Sequence, residues 1–219
     1  DNHIYVEMHD LKKNLFIKKI RDIYITILNK IMKNTNDKIY CISPACYSTA
    51  KKYWHIDKSK LDLLPLGFDD EMLDSVIQNV DKSEIREKNN IDVDKIIIIT
   101  GGKIDYSKNI HILAKSILHS KQNVVLIIFG NFVNPGVQEE IMKYVDSKKI
   151  IYVGFLQPFD IYKYLYSSDI AFFPGTQSVL WQQSIACGLP CVFKYWKGIE
   201  YLDLGGNCVF IHNIDENTI

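Results

Sequence analysis

Two glycines and two lysines follow a run of isoleucines in 96-IIIITGGKIDYSKNI-110. Lys103 and Lys108 are point charges on flexible stems, and helical periodicity begins just after them. An ammonium pair beside the amino end of a helix favours a bound anion, because the first amides there are unpaired and the helix dipole is positive. Gly101 and Gly102 would let the backbone turn tightly and come close to a ligand. A diphosphate suits this arrangement. The spacing is neither that of a GxxxxGK[ST] phosphate loop nor that of a GxGxxG dinucleotide turn. Lysines in a loop are also commonly solvated surface charge, and this stretch alone leaves both readings open.

A second stretch with chemical potential is 170-IAFFPGTQSVLWQQSIACGLPCVF-193. A predicted strand ends at Pro174. A Gly-Thr-Gln-Ser turn opens a predicted helix over 178–187, with Gly188 as its C-terminal cap and Pro190 as a stop signal. The amides of Thr176, Gln177, Ser178 and Val179 are expected to be free at the helix start, and Gln183 offers an amide to hydroxyl groups. A strand, a turn and a helix capped by Ser or Thr explain the same residues without a ligand.

The elements that must position these residues are legible as apolar runs between Gly, Pro, Asn and Asp. Strands are predicted at 3–8, 38–43, 61–66, 95–100, 123–129, 149–153, 169–173, 190–194 and 207–211. Continuous runs such as 124-VVLIIF-129 suit strands buried on both faces of a parallel sheet. Helical patterns lie between them, at 11–34, 45–54, 107–120, 135–147, 158–168 and 178–187. Strand alternating with helix predicts a doubly wound α/β fold. Pro65, Gly67 and a run rich in acids from Asp69 to Asp94 are read as a break between two blocks, residues 1–70 and 71–219. The second block has six strands and reads as a complete Rossmann-like unit, and the first as the incomplete end of another. In such a sheet ligands bind at the carboxyl ends of the strands, where 100–108 and 174–179 would lie. In the helix at 11–34, Leu15, Phe16, Ile20, Ile23, Ile27 and Ile31 form a stripe beside Lys12, Lys13, Lys19 and Arg21. This pattern fits a helix on a membrane surface or a core helix with solvated lysines, and the core reading is favoured.

Composition narrows the classes. The 219 residues are 47% hydrophobic, so a sizeable core is available. Lys plus Arg and Asp plus Glu both total 26, and a balanced charge argues against a nucleic-acid binder. The five cysteines lack paired CxxC spacings or histidine partners, so no metal site is expected and reduced buried thiols are. No run reaches about 18 apolar residues, as a membrane span would. No signal peptide is visible, and a cytoplasmic location is expected. The opening on a strand-like segment, IYVEM, suits a fragment of a longer chain.

Several local words, taken in order, resemble the family 4 retaining glycosyltransferases of GT-B fold. They are 65-PLGFD-69, 102-GKIDYSKN-109, 127-IIFGN-131, 152-YVGFL-156, 162-YKYLYSSDIAFFPG-175 and 183-QSIACGLPCV-192. The resemblance covers most of the chain from residue 38 onward. It implies a GT-B-type α/β fold and transfer of a sugar, with retention, from a nucleoside diphosphate to a glycan, lipid-linked or small-molecule acceptor. It implies no metal and no cofactor, a UDP-sugar donor, and peripheral association with the inner face of the cell membrane. By this resemblance Gly102, Lys103, Lys108, Ser178 and Val179 hold the diphosphate. Thr176, Gln177 and Gln183 meet sugar and ribose, and Phe155 and Leu156 flank the base. His9, after the first predicted strand, lies near the donor sugar as the catalytic candidate.

The chain departs from the family pattern in two places. The paired glutamates spaced Glu-x7-Glu are absent, with Gly175 and Gln183 at their positions. Lys103 stands where the family has Arg, which gives up bidentate phosphate geometry. These departures keep open a non-catalytic nucleotide-sugar-binding or assembly subunit. Another GT-B enzyme, a nucleotide-sugar epimerase or a phosphorylase, is a further alternative. A nicotinamide enzyme is disfavoured by the missing glycine fingerprint.

Overall fold

A computed structural model of the chain describes residues 15–33, 38–145 and 148–215. The candidate His9 lies outside these residues. The polypeptide divides into two units, residues 1–66 with 196–201, and residues 67–195 with 202–219.

In the first unit, helix α1 (Leu15–Lys33) precedes strand β1 (Ile39–Cys41), helix α2 (Pro44–Tyr53) and strand β2 (Leu61–Leu63). The two strands pair in parallel, with Ile39 opposite Leu61. Helix α2 starts where Ser43 accepts a hydrogen bond from the Cys46 amide and Pro44 fills the first turn, both normal signals of a helix start. A small core of Cys41, Ala50, Ile56 and Leu61 joins helix to strands. The stripe on α1 departs from the core reading. Ile20, Ile23, Ile27 and Ile31 are each more than half exposed, and among the described side chains of the helix the buried one is Ile25, on another face.

The second unit opens with two helices, α3 (Asp70–Asn79) and α4 (Ser83–Lys88). The sequence reading has no helices in 65–94, and the division between the units falls at the start of that stretch, between Leu66 and Gly67. Asp69 caps α3 by accepting from the Met72 amide at 2.9 Å, and Asp70 and Glu71 complement the positive end of the helix. Leu73 and Val76 are buried against Tyr162. Helix α4 is held by Arg86, which donates to the Lys95 carbonyl and pairs with Asp169.

Next come β3 (Ile96–Ile104), α5 (Ile110–His119), β4 (Val124–Phe132) and α6 (Pro135–Val145). They lead to β5 (Ile150–Tyr152), α7 (Pro158–Tyr166), β6 (Ile170–Phe173), α8 (Leu180–Ala186), β7 (Cys191–Lys194) and β8 (Cys208–Ile211). All six strands are parallel, in the order β5-β4-β3-β6-β7-β8. The chain builds outward from β3 to β5, then returns to the other side of β3 and builds outward again. The direction therefore reverses between β3 and β6, which makes that gap the topological switch point. The predicted α/β doubly wound parallel sheet is present, with its six strands in the expected places. Residues 124–130 of β4 are buried without a break, as a central strand covered on both faces requires. Ile98, Leu126, Ile128, Leu113 and Ile141 pack on one face.

Strands β3 and β4 run three or four residues past their predicted ends, and glycine is the reason. Gly102 and Gly130 are register partners with φ of +112° and +116°, a backbone that side chains rarely tolerate. A Cβ on Gly101 would overlap the Phe129 carbonyl, and one on Gly130 would overlap the Gly102 carbonyl. The two strands thus approach closely at these glycines. Gly101 and Gly102 belong to the ladder and not to a turn, which corrects their predicted role.

All five cysteines are free thiols. Burial pushes Cys187 and Cys191 up to about 12 and Cys208 up to about 11, so they stay protonated and unreactive near neutral pH. Among the described residues no cluster suited to a metal ion occurs, and no helix is long and apolar enough to cross a membrane.

Candidate active site

The site is built on two segments that leave the sheet on either side of the switch point, 105–109 after β3 and 174–179 after β6. The first is a turn with its own cap. Asp105 accepts from the Ser107 amide at 2.8 Å, and Tyr106–Lys108 form one 3-10 turn. Asn109 then adopts left-handed backbone, φ 54°, and leads into α5. The Tyr106 hydroxyl donates to Glu140 at 3.1 Å and ties this turn to α6.

Several bonds join the two segments. The Lys108 ammonium donates to the Thr176 carbonyl at 2.9 Å. The Asn109 side-chain amide donates to the Pro174 carbonyl at 2.9 Å. The Thr176 amide donates to the Ser107 carbonyl at 3.2 Å. At Gly175 the backbones meet so closely that a Cβ would overlap Lys108 Cα. The glycine at this position is therefore a packing requirement of the joined segments. A glutamate cannot occupy it without separating them.

Between the segments lies a small, partly open hollow with room for about one water molecule. Thr100, Gly101, Lys108, Gly175, Thr176 and Ser178 line it, with Ile110, Phe173 and Pro174. No carboxylate is among them. The lining offers one ammonium, three hydroxyls and backbone, a donor set suited to phosphate oxygens. Burial lowers the pKa of Lys108 from its ordinary 10.5; Asp105 opposes this and the charge on Lys103 adds to it. An anion beside Lys108 would relieve both unfavourable effects. Lys103, across the ladder from Asn131, is exposed.

The other expected residues fall in different places. Helix α8 begins at Leu180, two residues later than predicted, and spans seven residues. Thr176, Gln177 and Ser178 are therefore loop residues, with Val179 as cap. The Thr176 amide is taken by Ser107, so the expected row of free helix-start amides is shorter by that one. Gln183 is brought to α7, where its amide nitrogen meets the Tyr162 hydroxyl at 3.4 Å. Its amide oxygen is buried without a partner. Tyr162 also accepts from the Asp69 amide at 2.8 Å. Phe155 is 60% exposed on the loop after β5, while Leu156 is buried.

Sequence reasoning missed Asn109, Ser107 and Tyr162. Asn109 carried a signal, since Asn before a helical run is both a favoured cap and tolerant of left-handed backbone. Ser107 and Tyr162 act through contacts 69 and 93 residues away along the chain, which no local pattern records.

An open parallel sheet with a cation-lined hollow at its switch point defines a Rossmann-like domain of the GT-B type. The chain belongs to the family described as glycosyl transferases group 1, which matches residues 81–202. Solved structures with the same fold include a glycosyltransferase from Rickettsia africae, 15% identical, with a TM-score of 0.73 over 89% of this chain and 54% of that one. Anabaena HepE, solved in complex with UDP and glucose, is 15% identical, with a TM-score of 0.69 over 90% of this chain and 55% of its own. Sucrose-phosphate synthase from Thermosynechococcus elongatus is also 15% identical, with a TM-score of 0.65 over 89% and 49%. The chain thus spans about half the length of the structures it matches. No curated protein matches the sequence.

Proposed function

We propose that this chain is the donor-binding part of a retaining glycosyltransferase of family 4, which moves a sugar from a nucleoside diphosphate to an acceptor without a metal or cofactor. The observation that carries the reading is the convergence of Lys108 with the 174–178 segment on one hollow at the switch point. Negative charge grows on the diphosphate as the sugar departs. Lys103 and Lys108 would stabilise that charge; one well-placed donor to a developing anion is worth about a hundredfold or more in rate in well-studied enzymes of other classes. The Lys108 ammonium would exchange the Thr176 carbonyl for a phosphate oxygen, trading a neutral acceptor for a charged one. UDP is the favoured nucleotide, in line with the UDP and glucose bound by the Anabaena relative. Phe155 and Leu156 would flank the base. The exposed apolar face of α1 suits peripheral membrane association at the cytoplasmic side, where a lipid-linked or glycan acceptor would be met.

A panel of UDP, GDP and ADP, read by thermal shift on this chain, tests the binding step. A nucleotide at one hundred times its dissociation constant stabilises by about 2.7 kcal/mol. UDP is expected to shift the wild type, and Lys103→Ala to reduce that shift. If no nucleoside diphosphate shifts the wild type, the proposal is wrong.

A second reading, a nucleotide-sugar-binding subunit without transfer activity, is favoured by Gly175 and Gln183. The first leaves no room for a side chain and the second faces Tyr162, so two carboxylates that relatives direct at the donor have no counterpart there. A transfer assay on the full-length protein separates the readings, since product that depends on Lys108 would exclude the non-catalytic one.

A further inference from the structure

Asn109 stands at the start of α5 without serving as its side-chain cap. An asparagine in that place ordinarily accepts a bond from an amide of the first helical turn. Here its side-chain amide is directed to the other segment and donates to the Pro174 carbonyl at 2.9 Å. Its backbone has a φ of 54°, which asparagine tolerates but which glycine would serve as well. The backbone therefore does not call for an amide, and the helix does not use it. The bond to Pro174 is what the side chain adds.

The residues on either side of that bond lead to the cation of the site. Lys108 precedes Asn109, and its ammonium donates to the carbonyl of Thr176, two residues beyond Pro174. Gly175 between them lies against Lys108 Cα. Holding the Pro174 carbonyl thus holds the acceptor of the Lys108 ammonium. We infer that Asn109 is a positioning residue for the donor diphosphate, which fixes the 174–176 segment against the 105–109 turn and so sets the place of the Lys108 ammonium. The inference rests on the proposed donor role of Lys108 and adds a residue that acts through it. Lys108 keeps part of its surface exposed, so an anion meets it from outside without entering the hollow. A cation held in place before the ligand arrives binds more tightly than one that must be ordered on binding.

The test uses Asn109→Gly, which keeps the left-handed backbone and removes the amide, in the wild-type chain and in Lys108→Met. Affinity for UDP is measured by calorimetry. The ionisation of Lys108 is followed without ligand, by the pH dependence of its acylation read by mass spectrometry. Asn109→Gly is expected to weaken UDP binding about tenfold in the wild-type chain and less than about twofold in Lys108→Met, where no cation remains to be placed. It is also expected to move the Lys108 titration up towards the ordinary 10.5, because the freed ammonium is better solvated while Asp105 and Lys103 stay as they are. A role in the fold alone would not move that titration. An equal loss of affinity in both backgrounds, an unmoved Lys108 titration, or wild-type affinity in Asn109→Gly would each overturn the inference. If the wild type binds no UDP, or Lys108→Met binds it as well as the wild type, the donor role of Lys108 falls first and the inference with it.

Discussion

Lys108 holds a charge where burial disfavours it, and its present acceptor is a neutral carbonyl. The pH dependence of ligand binding follows with a definite sign. A bound diphosphate favours the protonated amine, so the pKa rises on binding and the complex takes up a proton wherever the free amine has begun to lose its own. Affinity is therefore full at pH values below the lowered pKa of the free chain, and falls as pH rises through it, below the ordinary 10.5. Calorimetry with UDP from neutral pH upward is expected to show this decline. Lys108→Met should weaken binding by about tenfold or more and flatten the decline. An affinity that declines identically in the variant would assign the titration to another group.

At the scale of elements, the glycine contact between β3 and β4 lies beneath the site. Gly102 and Gly130 are register partners at close range, and the 105–109 turn follows β3 just past them. Gly130→Ala places a methyl group on the Gly102 carbonyl, at a φ of +116°. The expected loss is about 3 kcal/mol or more, read by denaturant unfolding. A loss under about 1 kcal/mol would show that the paired strands separate easily and that the glycine contact is not rigid. Helices α3 and α4 teach a different lesson at this scale. Their capping residue and apolar positions are present in the sequence, as Asp69 with Met72, Leu73 and Val76. Eleven charged residues between Asp69 and Lys95 conceal that short apolar stripe.

For the whole molecule, the two units differ in charge as well as in structure. Residues 1–66 contain 12 Lys and Arg against 7 Asp and Glu, although the chain as a whole is balanced. The hollow lies wholly within the unit of residues 67–195 and 202–219. A ligand stabilises the structure that binds it and leaves independent units unaffected. Saturating UDP is therefore expected to slow proteolytic cleavage within 67–195 and to leave the rate within 1–66 unchanged. Equal protection of both would show that the units unfold together.

The sequence by itself determined the class of fold. Isoleucine and valine runs of strand length alternate with helical patterns, and that local periodicity survives in almost any tertiary setting. It also singled out Lys103 and Lys108, because glycine, lysine and a helix start are neighbours in the chain; Lys108 lines the hollow, and Lys103 is exposed outside its lining. Only the tertiary structure decided what those residues meet. Lys108 to Thr176, Asn109 to Pro174 and Gly175 against Lys108 are contacts between segments more than sixty residues apart. The turning of Gln183 towards Tyr162 and the isolation of the Thr100 hydroxyl have the same origin. Such contacts depend on strand order and register, which place β3 beside β6, and strand order is not encoded in any local stretch of residues.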